Sequence, residues 1–273
     1  HKRERENTMS AQDRLKAGDV DGWVAALAAP VKKAPTDSAA RLAFGQGLIV
    51  AGDLERADNQ FDLVISQDPT WAPRTALLRQ LVRALKSRVE FFEHGRPPEL
   101  LKPPSDYLQS LLIANVALRE EGGAQAGAAF QSAEALRPPI AGALNDAPFE
   151  DCRDLDDRTS GVLEVLTSTG KYYWIELSHI RSIAIREPGN FLDTILLPAD
   201  VEVADGPAGV VYLPAIYWTA PDQISPEIML GRLSDWQDDG GGVTKGLGRR
   251  CFLIGDNAEP LEGGATLDFG PAR

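Results

Sequence analysis

The sequence predicts a two-domain α+β fold, with repeated helix pairs followed by a mainly antiparallel β domain. Two turn signals share one period. Ala17-Gly18-Asp19 returns as Ala51-Gly52-Asp53, and Ala34-Pro35-Thr36 returns as Asp68-Pro69-Thr70, in each case 34 residues later. A period of 34 is the length of a tetratricopeptide (TPR) helix–turn–helix repeat. After about residue 160 the pattern changes to short β-branched and aromatic runs bounded by turn residues, which indicates strands.

Apolar residues of the first half recur at helical spacing. Asp53 is a predicted N-cap, and Gly52 before it suits the left-handed end of the preceding helix. The helix after Asp53 has a regular apolar stripe, formed by Leu54, Ala57, Phe61, Val64 and Ile65. A longer helix is predicted over about 71–92, and a further pair near 107–119 and 123–136. We therefore expect TPR-like stacked helices, since one pair cannot bury its apolar face alone.

Composition divides the chain into four segments. Residues 1–9 are predicted to be a tag remnant or disordered tail, because they are highly charged and Met9-Ser10 is a natural start. The TPR-like helical domain is predicted over 10–140 and the β-rich domain over 161–273. Residues 141–160 are predicted to form an acidic linker without an apolar period. Its aspartates are Asp146, Asp151, Asp154, Asp156 and Asp157.

The charge balance restricts the partners. The net charge is −12, and residues 151–273 hold 10 Lys and Arg against 20 Asp and Glu. Nucleic acid and anionic membrane surfaces need basic patches, so we expect neither as a partner of this half. No apolar run reaches membrane-spanning length and no signal peptide is recognised, which predicts a cytoplasmic protein without membrane insertion. Cys152 and Cys251 are expected to be reduced thiols, although spacing alone leaves a single bridge open.

Residue patterns for catalysis, cofactors or metals are incomplete. Gly240-Gly241-Gly242 precedes Lys245, but a phosphate-binding loop needs its lysine directly after the last glycine, so a flexible loop is predicted. Asp235, Asp238 and Asp239 lack the alternate spacing and closing Glu of a calcium loop, so a solvated acidic loop is predicted. His179 has no zinc partner at ligand spacing, and no Gly-x-Ser-x-Gly elbow is present. We predict no catalytic, cofactor-binding or metal-binding residue.

A basic ridge is the one candidate binding feature. Arg79, Arg83 and Lys86 lie at i, i+4 and i+7 of the predicted long helix, opposite its apolar members. One interpretation is a solvated helix face. The other is a partner-binding ridge that pairs with an acidic partner helix or with the acidic second domain. These three residues are the predicted partner-binding residues.

Motifs of the second half resemble a known family. In order they are Trp174-Ile175-Glu176-Leu177, His179-Ile180-Arg181-Ser182, Leu196-Leu197-Pro198-Ala199, the run from Gly209 to Tyr217 with Leu213-Pro214-Ala215-Ile216-Tyr217, Leu230-Gly231-Arg232-Leu233-Ser234-Asp235-Trp236, and Gly246-Leu247-Gly248-Arg249-Arg250. This pattern resembles the ImpE (TagJ, SciE-type) accessory proteins of bacterial type VI secretion systems. The resemblance spans nearly the whole chain, because that family also has a TPR-like helical half before its ImpE-specific domain.

The resemblance implies a cytoplasmic accessory protein near the contractile sheath. It further implies association with the small sheath subunit (TssB) and, through it, with the unfoldase ClpV, and it brings no catalytic residues. Stacked helices suit helix-in-groove recognition, so the leading hypothesis is non-enzymatic docking of a sheath-subunit helix. Two alternatives stay open: a small hydrolase or nucleotide-handling enzyme in the β domain, and a purely architectural scaffold.

Overall fold

The computed structural model describes residues 9–220 and 224–270 of the chain. Residues 1–8 of the predicted tail lie outside the described residues. The α-helices are α1 (Ala11–Lys16), α2 (Val20–Lys33), α3 (Ser38–Val50), α4 (Leu54–Gln67), α5 (Ala72–His94), α6 (Asp106–Glu121), α7 (Gly123–Leu136) and α8 (Pro226–Met229). No helix within the described ranges is long and apolar enough to cross a membrane.

The 34-residue period is visible in the helices. α2 and α4 each have 14 residues, and each begins after an aspartate N-cap, Asp19 or Asp53, whose carboxylate accepts a backbone N–H of the first turn. Gly18 and Gly52, directly before these caps, have positive φ angles of 75° and 77°. A glycine adopts this conformation without the steric cost of a Cβ. The predicted TPR-like helix pairs are therefore confirmed.

Strands follow the helices in chain order. They are β1 (Gly142–Leu144), β2 (Ala147–Phe149), β3 (Cys152–Asp154), β4 (Val162–Leu166), β5 (Tyr172–Glu176), β6 (Ile180–Ile185), β7 (Leu196–Val203), β8 (Ala208–Pro214), β9 (Ser234–Asp238), β10 (Thr244–Gly248), β11 (Cys251–Ile254), β12 (Asn257–Pro260) and β13 (Thr266–Phe269). The main sheet has the order β2-β1-β13-β6-β7-β8-β4-β5; β10 pairs with β9, and β12-β11-β3 forms a third sheet. All these pairings are antiparallel, as predicted.

The helical half covers one face of the main sheet. α5 packs on β4 and β5. Gly170-Lys171 between two strand-like runs predicts a hairpin, and the hairpin between these two strands turns at Gly170. Tyr172 and Trp174 point to this face and are buried with Phe91 of α5. Tyr173 points to the other face, because successive side chains of a strand alternate. The opposite face packs on a second apolar core that includes Phe252 and Ile254 of β11.

The segment 141–160 differs from the predicted acidic linker. It contains β1, β2 and β3, and β3 pairs with β11. Asp154 and Asp156 are buried at 0% and 2% exposure. The linker interpretation was wrong here because buried arginines neutralise these aspartates: Arg250, which is distant in the chain, pairs with Asp154, and Arg158 of the same segment pairs with Asp156.

Most of the candidate core is buried. The helix and strand patterns of the sequence predict eleven core residues, of which nine are buried and two, Leu112 and Val211, are half-buried. The other nine are Leu48, Phe61, Leu78, Leu81, Phe130, Val165, Ile183, Leu213 and Phe252.

Candidate functional site

A buried set of charged side chains lies between the helices and the main sheet. We call it the charged seam. It comprises three arginines and three carboxylates, each at most 7% exposed: Arg88, Arg158, Arg250, Asp154, Asp156 and Glu164. A buried charge is tolerated when it is paired and hydrogen-bonded, so equal numbers of the two signs are what burial requires.

Glu164 is the centre of the seam. It lies on β4, where its neighbours Leu163 and Val165 point to the opposite face. Arg88 of α5 binds it with both ends of its guanidinium group, at 2.7 Å from Nε to Oε1 and 3.0 Å from Nη2 to Oε2. Arg250 also donates to Glu164, and the Tyr172 hydroxyl donates to the same carboxylate. One carboxylate thus joins a helix, two strands and the segment before β11.

Asp156 and Arg158 extend the seam towards α6 and β10. Arg158 Nε lies 2.9 Å from Asp156 Oδ1, and the Gly246 N–H donates to Asp156 Oδ2 at 3.0 Å. The Asn115 side chain of α6 donates to the Arg158 carbonyl at 3.0 Å. Arg158 in turn donates to the Trp218 carbonyl at 3.0 Å. These bonds bring residues that are distant in the chain into one fixed arrangement.

Burial and ion pairing act in opposite directions on the pKa values of the seam carboxylates. Burial raises the pKa of Asp154, against the attraction of the Arg250 guanidinium, and burial lowers the pKa of Arg250 to about 10. Burial also acts to raise the pKa of Asp156, but the charge of Arg158 and its hydrogen bonds outweigh burial, and the pKa is lowered. Burial raises the pKa of Tyr217, whose hydroxyl lies 2.7 Å from Asp154 Oδ1. Each carboxylate is paired with an arginine, so the seam connects different elements of the fold.

An apolar groove opens beside the seam. It has a volume of about 240 Å³ and lies between the helical stack and the end of the main sheet. Its lining comes from the end of α3, from α5, from the residues that follow β8 and from α8. Its apolar lining includes Val50, Leu85, Val89, Pro214, Ile216, Ile228 and Met229. A concave apolar surface with few polar groups suits a protein helix better than a small polar substrate.

The basic ridge is divided by its contacts. Arg79 Nε lies 2.8 Å from Asp58 Oδ1, and Arg79 Nη1 lies 2.6 Å from Asp62 Oδ1, both on α4. Lys86 pairs with Glu55 of α4 at 2.7 Å. Arg83 is exposed and makes no ion pair with any residue that the structure describes. The ridge therefore holds α4 against α5 at two positions, and partner binding by these residues stays a prediction.

The remaining polar candidates lie apart from the seam. His179 ends a 3₁₀ helix, Leu177–His179, and its ring lines a cavity of only about 10 Å³. Asp239 pairs with Lys245 at 2.7 Å, and the Asp238 carboxylate accepts the Gly240 N–H. Within residues 9–220 and 224–270, no three His, Cys, Asp or Glu side chains are grouped to hold a metal ion.

The loop with Gly240, Gly241 and Gly242 packs against a helix, which its glycine-rich composition did not predict. The backbone of Gly241 and of Asp239 lies against Gly123 and Gly127 of α7, where an added Cβ would overlap the loop carbonyls. Two glycines four residues apart on one helix face permit this close approach. The segment is a packed loop on α7, in contrast to the predicted flexible loop.

Both cysteines are free thiols in the core. Cys152 lies on β3 and Cys251 on β11, and each is buried. Burial raises the pKa of Cys152 to about 12. Only a small fraction of this thiol is then ionised near neutral pH, so it behaves as an apolar core residue.

Comparison with known proteins identifies the family. The family model described as the ImpE protein matches residues 146–267. The chain is 31% identical over 264 residues to the type VI secretion system accessory component TagJ of Pseudomonas aeruginosa, with 96% of this chain and 92% of that protein covered. The chain belongs to the ImpE/TagJ family. The solved structure of protein VPA1032 from Vibrio parahaemolyticus matches this ImpE/TagJ chain with a TM-score of 0.86 and 28% identity, over 95% of this chain and 97% of that one.

Three of the six motifs that carry the ImpE/TagJ resemblance contribute residues to the seam or its hydrogen-bond partners. Tyr217, Gly246 and Arg250 each contact a seam carboxylate directly. The Trp174 indole donates to the Tyr172 hydroxyl, which holds Glu164. These motif residues are therefore explained by assembly of the fold.

Sequence reasoning missed the acidic half of the seam. Glu164 pairs with Arg88 across 76 residues and with Arg250 across 86, and no local pattern links such positions. One signal was available. Glu164 interrupts the run Val162-Leu163-Glu164-Val165-Leu166, in which all five residues are buried. A lone carboxylate inside an apolar strand indicates a buried cationic partner.

Proposed function

We propose that this protein is a non-enzymatic, protein-binding accessory factor of a bacterial type VI secretion system. In this proposal it docks a helix of a small, TssB-like sheath subunit. The relative named TagJ, an accessory component of that system, supports the general role. The family is one of accessory proteins, and every carboxylate of the charged seam is paired with an arginine, which supports a binding role over catalysis.

The apolar groove is the observation that carries the docking proposal. α5 contributes Leu85 and Val89 to one wall, and Ile216 and Met229 lie across from them. An amphipathic helix buries residues at i, i+3, i+4 and i+7 in such a groove. Both walls are fixed relative to each other by the charged seam, since Arg88 of α5 binds Glu164 and also donates to the Ile216 carbonyl at 3.1 Å. A preformed groove lowers the entropic cost of binding.

The biological role follows from the partner. Holding a sheath subunit would assist sheath assembly, or sheath recycling through the unfoldase ClpV, in the cytoplasm. The proposal keeps a division of the chain near residue 140, with stacked helices on one side and the ImpE-type β-rich domain on the other. The groove lies where the two parts meet.

Binding of purified sheath subunits tests the proposal. We expect the unmutated protein to bind, and Val89→Glu to weaken binding about tenfold or more, because it places a charge in the groove wall. Val116→Glu is the matched control, since Val116 is 40% exposed on α6 and does not line the groove. Its binding should be unchanged. If the unmutated protein binds no sheath subunit, the docking proposal fails.

Two further assays address the alternatives. Turnover of a generic ester, phosphoester or nucleotide substrate that is abolished by His179→Ala would favour the enzyme. The scaffold alternative has a specific observation in its favour, because the charged seam already fixes the two parts together. Limited proteolysis distinguishes a rigid platform from loosely joined domains: we expect slow cleavage over 144–160, where three strands and buried carboxylates hold the backbone.

A further inference from the structure

A basic cleft lies on the opposite side of α5 from the apolar groove. It has a volume of about 380 Å³ and is bounded by α5, by the segment after α5 and by the β4–β5 turn. Arg83 and Ser87 of α5 line the cleft, whereas Leu85 and Val89 line the groove. A two-residue offset corresponds to about 200° around an α-helix, so the two surfaces use opposite faces of α5.

Three cationic side chains line the cleft. Arg83 is exposed and unpaired among the described residues. Lys171 is 52% exposed and lies 3.9 Å from Glu99, and Arg96 is 59% exposed and donates to Glu90. Glu99 is the one carboxylate residue in the lining. The cleft is therefore a positive site on a chain whose net charge is −12.

The walls of the cleft are held in place by backbone contacts. Gly170, with a φ of 82°, packs against α5, where an added Cβ would lie 3.0 Å from Arg83 Cδ. On the other side, Glu99 N–H donates to the Tyr172 carbonyl at 2.9 Å, and Trp174 N–H donates to the Glu99 carbonyl at 3.1 Å. The three cations therefore project from backbone that is fixed before any ligand binds.

We propose that this cleft binds an acidic segment of a protein partner, through Arg83, Arg96 and Lys171. Charge complementarity favours this ligand: carboxylate side chains on an extended or helical segment match separated cations, and guanidinium groups bind carboxylates with paired hydrogen bonds. The inference deepens the proposed protein-binding function by adding a second, polar surface. It also narrows the partner-binding prediction for the basic ridge to Arg83. Arg79 and Lys86 form ion pairs with α4, whereas Arg83 lines the cleft without an ion pair among the described residues.

The test uses a labelled peptide and not a sheath protein. A fluorescein-labelled peptide of alternating Glu and Gly is titrated at low salt into the full chain, with binding followed by fluorescence anisotropy. We expect saturable binding, weakened about tenfold by Arg83→Glu with Lys171→Glu. The control is Lys32→Glu with Lys33→Glu, which makes the same change in net charge at two exposed residues of α2. The affinity of this control variant for the peptide should change less than about twofold. Added salt should weaken peptide binding by every variant, because it screens the charges.

Three results would overturn the inference. They are absence of saturable peptide binding, equal weakening in the cleft variant and the control, and saturable binding of inorganic phosphate without binding of the peptide. Circular dichroism of each variant verifies that the fold is retained, as we expect for exposed side chains. Because the probe is not a sheath protein, failure here leaves sheath-subunit binding to the groove untouched, and the reverse also holds.

Discussion

The two faces of the main sheet are packed by different means. The face away from the helices uses apolar side chains such as Leu163, Val165 and Ile183 against Phe252. The face towards the helices has aromatic and aliphatic residues as well, but Glu164 stands among them and binds Arg88 of α5. Apolar packing tolerates small shifts, whereas paired hydrogen bonds accept one geometry. The difference shows how this chain fixes the position of its helices on its sheet.

The largest expected effect comes from breaking the seam. Glu164→Gln should lower the free energy of unfolding by about 3–5 kcal/mol, because Arg88 then loses its buried counter-ion and Arg250 keeps only Asp154. Urea unfolding followed by circular dichroism measures the loss. Leu163→Ala, on the opposite face of the same strand, is the matched variant and should cost about 2–5 kcal/mol.

Amide hydrogen exchange distinguishes the effects of the substitutions on the two faces of the sheet. Glu164→Gln should increase amide exchange in α5, and Leu163→Ala should increase it in β11, where the second core is packed. If Glu164→Gln lowered the free energy of unfolding by less than about 1 kcal/mol, which is the value of an exposed ion pair, the buried pairs would not fix the helices on the sheet. Identical exchange maps for the two variants would lead to the same conclusion.

Elements that depend on local chemistry were predictable from the sequence. The repeat, the aspartate cap at Asp53 and the hairpin turn at Gly170 follow from turn residues and apolar spacing, and each lies where predicted. The seam was not predictable, because Arg88 and Arg250 lie 76 and 86 residues from Glu164 in the chain and the aspartates of the seam fall in the predicted linker. The groove and the cleft also need the tertiary arrangement, since each is lined by segments from both halves.

A substitution in the helical stack that removes only apolar contacts can be compared with the substitution in the seam. Phe61 of α4 is fully buried, and its ring packs on Gly45 of α3, where a Cβ would not fit. Phe61→Ala should cost about 3–5 kcal/mol. Leu63→Ala is the control on the same helix, since Leu63 is 41% exposed, and it should lie within about 0.5 kcal/mol of the unmutated protein. A thermal shift near zero for Phe61→Ala would show that the stack is packed otherwise.

A smaller, pH-dependent effect belongs to the Asp156–Arg158 pair. Burial opposes ionisation of Asp156, but Arg158 prevails and the folded pKa lies below the ordinary 3.8. The native state therefore binds this proton less readily than the unfolded state does, so the stabilisation is complete above about pH 3.8 and is lost as the pH falls through the folded pKa.

The corresponding variant is Asp156→Asn. At pH 7 it should be about 2–3 kcal/mol less stable than the unmutated protein. The gap should narrow below about pH 3.8. Urea unfolding between pH 7 and pH 3 measures it, with Asp146→Asn as an exposed control that should show no such dependence. If the difference in stability between Asp156→Asn and the unmutated protein grew as the pH fell, the pKa of Asp156 would be raised in the folded protein and not lowered.

The smallest effect is expected where arginine–carboxylate pairs face solvent. Arg79 binds Asp58 and Asp62 at distances close to those in the seam, yet its side chain is 35% exposed, against 8% for Arg88. Arg79→Ala should therefore cost only about 0–1 kcal/mol, and less at high salt, because water and ions screen the charges. Parallel urea titrations of Arg79→Ala and Arg88→Ala at two salt concentrations check this. If both variants lost the same stability, burial would not be what makes the seam strong, and the contrast between the two faces of the sheet would need another cause.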